Sequence, residues 1–217
     1  MRNDNFCTIY LVRHAESIHN AEYDQKKESV TKTGELGSDL SELGIKQSKD
    51  RARTFNKIHF DKIFSSDYLR AKHTADIIAL EHKLAVTTNK LLREKFWGKF
   101  EGRMHKIDWK RLAELQNGLS DTEKMKIKLS EDMENEEEAL ARLIIFLREA
   151  SVAYLGKTIL VVCHGNIIRS LLVHLGEARY DELPAGTVEN TGYVKLESDG
   201  IDFFIKEIVG VNKVKSS

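Results

Sequence analysis

Cysteine is scarce in this chain: Cys7 and Cys163 are the only two among 217 residues. That excludes a disulfide framework, and the two lie too far apart in sequence for a zinc knuckle. Proline is scarcer still. Pro184 stands alone, so no Pro-rich linker marks a domain boundary. No apolar run approaches the roughly 20 residues that cross a bilayer, and the opening residues lack the apolar region and small-residue cleavage site of a secretion signal. Charge of one sign is also missing, since 34 Lys plus Arg balance 34 Asp plus Glu. A balanced chain has no broad electrostatic footprint for nucleic acid or an anionic membrane, so its basic groups must serve local purposes. The expectation is a reduced, cytoplasmic protein of one domain over residues 1–217, with no nucleic-acid or membrane partner. Oligomeric state leaves no mark in the sequence.

What is present is patterned. With 41% hydrophobic and 31% charged residues, there is material for a real core under a charged surface. Short β-branched runs alternate with helical periodicity, which predicts an α/β sandwich: a central, mostly parallel sheet flanked by helices. Strands are expected at Phe6–Val12, Asp61–Ser65 and Thr158–Cys163, and a C-terminal hairpin turning at Asp199-Gly200. Helices are expected from Leu43 to Phe55 and from Tyr68 to His82, the latter capped by Asp67. Between Asn20 and Asp39 the chain reads as a polar loop. From about residue 103 to 150 no strand is apparent, and this stretch reads as a helical insertion placed to act as a lid. Its acidic run, Glu131 to Glu138, reads as a solvated helix face or a mobile loop.

Three segments share one arrangement, in which a strand leads to a cation or histidine and then to a helix. They are YLV-Arg13-His14, IFSSDYL-Arg70 and VVC-His164-Gly165. Ligands of open parallel sheets bind beyond the carboxyl ends of the strands, where helix N-termini favour anions. Two histidines and two arginines delivered to that rim describe a pocket for a phosphoryl group, whose oxygens a guanidinium fork can hold in pairs. No ligand spacing implies a metal, and no cofactor is called for.

The same residues resemble the signatures of the histidine phosphatase (phosphoglycerate mutase-like) superfamily, branch 1. LVRHAESIHN is similar to the segment that opens the family's site, SSDYLRAKHTA to the one with a further phosphate-binding arginine, LLREKFWGKFEG to the one with the acid, and VVCHGNIIR to the one with the second histidine. The resemblance implies phosphate monoester hydrolysis through a phosphohistidine on His14. Arg13, Arg70, His164 and Gly165 would hold the phosphoryl group, Asn20 would stand at the rim, and Glu94 would be the proton donor, with Glu101 the competing carboxyl. Small phosphorylated molecules would be the substrates. Ala15 stands where many members have glycine, His19 precedes Asn20 where an aromatic is common, and the 22–39 loop is longer than usual, so the entrance departs from the family pattern.

Three other readings stay open at this point. A mutase would use the same His14, but its lid would carry more basic residues than this acidic stretch does. A binding module would bind phosphate without turnover. The segment CHGNIIRS also fits the Cys-x5-Arg pattern of cysteine phosphatases, in which the thiolate of Cys163 would attack and Arg169 would hold the phosphate.

Overall fold

A computed structural model describes residues 5–21, 37–101 and 106–214. Most of the 22–39 loop, and residues 103–105 of the expected insertion, lie outside the described residues. The sheet has six strands in the order β3-β2-β4-β1-β5-β6. They are β1 (Cys7–Arg13), β2 (Lys62–Ser65), β3 (Val86–Thr88), β4 (Thr158–Cys163), β5 (Val188–Ser198) and β6 (Phe203–Val211). Strands β3, β2, β4 and β1 run parallel, while β5 and β6 pair antiparallel as the expected hairpin. The α/β class and the mostly parallel sheet are therefore as the sequence indicates.

The continuous apolar runs of β1 and β4 follow from burial on both faces. Ile9 and Leu11 of β1, with Ile159 and Val161 of β4, enter one core. Tyr10 and Val12, with Leu160 and Val162, enter the other. Helices α1 (Glu42–Phe55) and α2 (Leu69–His82) cover the second core through Ala52, Phe55, Ala71, Ala75 and Ile78. The first core is covered by α5 (Glu136–Ala153) and α6 (Gly165–His174), through Leu140, Leu143, Leu147, Ile167, Ile168 and Leu171.

Between β3 and α5 lie two short helices, α3 (Trp109–Gln116) and α4 (Asp121–Lys124). The described residues of the 103–150 stretch carry helices and turns. From Glu136 on, the chain is a crossover helix of the core, because Leu140, Leu143 and Leu147 bury their side chains against the sheet. Ahead of it, Met125 joins the same core. Among the described residues, no helix is long and apolar enough to cross a membrane.

Candidate active site

The strands β2, β4 and β1 are neighbours, so their carboxyl ends deliver side chains to one rim. His14 follows β1, His164 follows β4, and Arg70 sits in the first turn of α2, just beyond β2. The two imidazoles meet edge to face with centroids 5.1 Å apart. Arg70 bridges them, its Nε donating to His14 Nε2 at 3.1 Å and its Nη2 to His164 Nδ1 at 3.2 Å.

A guanidinium can only donate, so both of those ring nitrogens carry lone pairs and the tautomers follow. His14 keeps its proton on Nδ1 and donates it to the Ala15 carbonyl at 2.7 Å. His164 keeps its proton on Nε2 and donates it to the Ser66 hydroxyl at 2.9 Å. Burial holds both rings well below the usual histidine pKa, and the charge of Arg70 adds to that, as does Arg13. The rim therefore holds two neutral histidines whose unprotonated nitrogens face one cation.

The backbone at His14 is tied to its neighbours. His14 N–H donates to the Cys163 carbonyl at 2.9 Å, and Ala15 N–H to Thr74 Oγ1 at 3.0 Å. Thr74 in turn donates to the Arg70 carbonyl at 2.7 Å, and Glu16 N–H donates to Gln47 Oε1 at 2.9 Å. Arg13 donates to the Val188 carbonyl. It passes so near Gly165 that a Cβ there would lie 3.2 Å from Arg13 Nε; glycine leaves the guanidinium its room. Tyr68 packs edge to face on His164 with centroids 5.4 Å apart, and the Arg70 and Arg93 guanidiniums both lie about 5 Å from its ring.

Asp67 does not cap α2 as the sequence suggests. Its carboxylate takes a two-point pair with Arg93, at 2.7 and 2.6 Å, and α2 has Tyr68 at its N-cap with no side-chain cap. A bidentate, charge-assisted pair outcompetes a single bond to a backbone N–H. Asn20 accepts from the Ser17 hydroxyl at 2.9 Å and from Ser17 N–H at 3.3 Å, which commits its oxygen to the local turn.

Glu94 lies against the first turn of α6. Its Oε2 accepts from Asn166 N–H at 3.0 Å and its Oε1 from Lys95 N–H at 2.9 Å. Glu101 accepts from Trp97 N–H at 3.0 Å, and both carboxylates act on the charge of Arg70.

The acidic run, expected to be solvated, anchors this acid-bearing segment. Asp132 accepts from Lys99 N–H at 2.6 Å and Glu134 from Phe96 N–H at 2.8 Å. Arg142, which nothing in the sequence singles out among the charged residues of its helix, ties the assembly together. It pairs with both oxygens of Glu134 at 2.9 Å and donates to the carbonyls of Leu91, Arg93 and Glu94. Glu136 is buried and accepts from Arg169, Tyr180 and Ser170. Buried carboxylates need such partners, and periodicity could not show where those partners would stand.

These contacts also bear on the cysteine reading. Cys163 is fully buried, and that burial holds its thiol well above the usual range. Arg169, six residues on, faces Glu136. CHGNIIRS thus lacks both the acidified thiol and the anion-facing arginine that a cysteine phosphatase loop requires.

Residues 9–209 match the model of the histidine phosphatase superfamily (branch 1). "Putative phosphoserine phosphatase 2" of Hydrogenobacter thermophilus is 30% identical over 88% of this chain and 90% of its own length. "Phosphoglycerate mutase-like protein 4" of Arabidopsis thaliana is 30% identical over 77% of this chain and 70% of its own length. Among solved structures, a phosphoglycerate mutase from Bacillus anthracis superposes with a TM-score of 0.74 at 26% identity, covering 95% of this chain and 94% of that one.

Proposed function

The chain belongs to the histidine phosphatase superfamily (branch 1), and on that premise we propose that it hydrolyses phosphate monoesters through a phosphohistidine on His14, with no metal ion. The observation that carries this reading is the His14 ring. It is neutral, its Nδ1 proton is committed to the Ala15 carbonyl, and its Nε2 lone pair faces Arg70 between the strand ends. Only a neutral imidazole can attack, and a fixed tautomer leaves one nitrogen free to do so.

In this account the entering phosphoryl oxygens draw Arg70 off His14 Nε2, which uncovers the nucleophile. Arg13 and Arg70 then carry charge on the equatorial oxygens. His164 joins them by taking a proton at Nδ1, which an arriving dianion favours. Gly165 and Asn20 complete the substrate contacts. Glu94 gives its proton to the departing alkoxide, and as carboxylate it then takes one from the water that attacks phosphohistidine. Residues 106–134, which include the exposed Trp109, serve with the exposed Phe96 ahead of them as the lid that meets the leaving group.

Hydrolysis is preferred to a mutase reaction because the carboxylates beside the 94–101 segment are acidic anchors rather than a second phosphate site. The test is a screen of small phosphate esters, phosphoserine and sugar phosphates among them, by released phosphate, with isomerisation of 3-phosphoglycerate assayed alongside. Release of phosphate from at least one ester, well above isomerisation, is expected. Isomerisation without release would replace the hydrolase by a mutase.

A further inference from the structure

Strand β5 is irregular where it passes His14. Its pairing with β6 shifts between Val188 and Tyr193, and within that stretch Thr191 has a φ of 59°. Positive φ in a β-branched residue is an outlier that persists only where its surroundings over-determine it. Gly192 follows, and a Cβ there would lie 2.8 Å from the Gly210 carbonyl, so β6 closes tightly on the distortion. Bulges beside active sites commonly re-aim side chains. This one aims two donors at one acceptor. Asn190 Nδ2 lies 3.1 Å from the His14 carbonyl and Thr191 N lies 3.4 Å from it. A carbonyl only accepts, so the Asn190 group facing it is the amide NH2.

We infer that Asn190 is a positioning residue for the nucleophile, fixing the His14–Ala15 peptide and through it the orientation of the His14 ring. The inference rests on the proposed role of His14. The ring is anchored by the Ala15 carbonyl, one peptide further on, so its direction depends on two consecutive peptide planes. Thr74 and Gln47 hold the N–H sides of those planes from the helical layer. Asn190 and Thr191 hold the carbonyl side of the first from the sheet. The Thr191 N–H survives any change at residue 190, so variants there report on the side chain alone. Displacing a reacting group by about 1 Å can lower a rate by roughly 10²-fold, and a loosened peptide plane would cost part of that.

The experiment compares Asn190→Ala and the isosteric Asn190→Asp with p-nitrophenyl phosphate as substrate and inorganic phosphate as inhibitor. Asn190→Ala is expected to lower kcat about tenfold while phosphate inhibition, which depends on Arg13, Arg70 and His164, stays unchanged. Asn190→Asp turns a carboxylate toward the His14 carbonyl and should lower kcat further. That carboxylate also favours the protonated ring against burial, Arg70 and Arg13, so the acid limb of the kcat/KM profile moves to higher pH. A purely structural residue would affect stability and leave kcat of the folded protein in place. Wild-type kcat in Asn190→Ala, or, should that variant not fold, wild-type kcat in Asn190→Asp, overturns the inference. His14→Ala is run alongside. Turnover there would refute the nucleophile itself, whereas an inactive His14→Ala beside wild-type Asn190 variants refutes only the positioning role.

Discussion

His14→Ala is expected to lose ester hydrolysis by about four orders of magnitude or more, the scale seen when one member of a catalytic unit is removed, while the protein stays folded. Both cores are built from strand and helix residues on either side of His14, so the truncation opens the phosphate pocket without hollowing a core. Arg70 loses its bond to Nε2 but keeps the one to His164 Nδ1. Inorganic phosphate should therefore still bind through Arg13, Arg70 and His164. Turnover measured by released phosphate, and phosphate affinity measured by calorimetry, should separate: the first disappears and the second persists. Near-normal turnover in a folded His14→Ala protein would end the histidine mechanism.

Glu94→Gln should distinguish substrates by their leaving groups. An alkoxide departing from a sugar phosphate needs a proton in the transition state, whereas p-nitrophenolate leaves with little help. The expected loss is about 10²-fold or more on a sugar phosphate, within the range for general acid catalysis, and about tenfold or less on p-nitrophenyl phosphate. Glutamine keeps the shape of the side chain but offers only one acceptor oxygen to the Lys95 and Asn166 N–H groups, which explains a modest loss on both substrates. Equal losses would mean that Glu94 only binds. Glu101, held by Trp97 N–H at 3.0 Å, would then be the carboxyl that supplies the proton.

The parts of the fold that could be read in the sequence are those in which one local pattern dictates one structure. β1 and β4 are apolar on both faces because helices cover both, so each shows as an apolar run rich in β-branched residues that leads to a histidine. Arg70 was legible because α2 begins just past β2 and its apolar face repeats at helical spacing. What could not be read depends on partners remote in sequence. Asp67 looked like a cap until Arg93, 26 residues away, claimed it. The acidic run looked solvated because Arg142 and Arg169, which neutralise Glu134 and Glu136, lie outside it. The apolar stripe of α5 says that the helix is buried but not against what, so its place in the core could not be read. Asn190 carried no signal at all; its place beside His14 comes from the pairing of β5 with β1 and an irregularity that no periodicity encodes.

The most direct measurement follows the phosphoryl group itself. Enzyme mixed with ³²P-labelled substrate and quenched within milliseconds in denaturing base should carry label in an acid-labile bond, and peptide mapping should place it on His14. Buried and held neutral, His14 presents its Nε2 lone pair to Arg70 as His164 presents Nδ1, and the position of the label tells the two apart. Label on His14 that forms and decays at rates compatible with turnover is the predicted result. Label on Cys163 or any other residue, or turnover without labelled protein under conditions where breakdown of the intermediate is slow, would contradict the account.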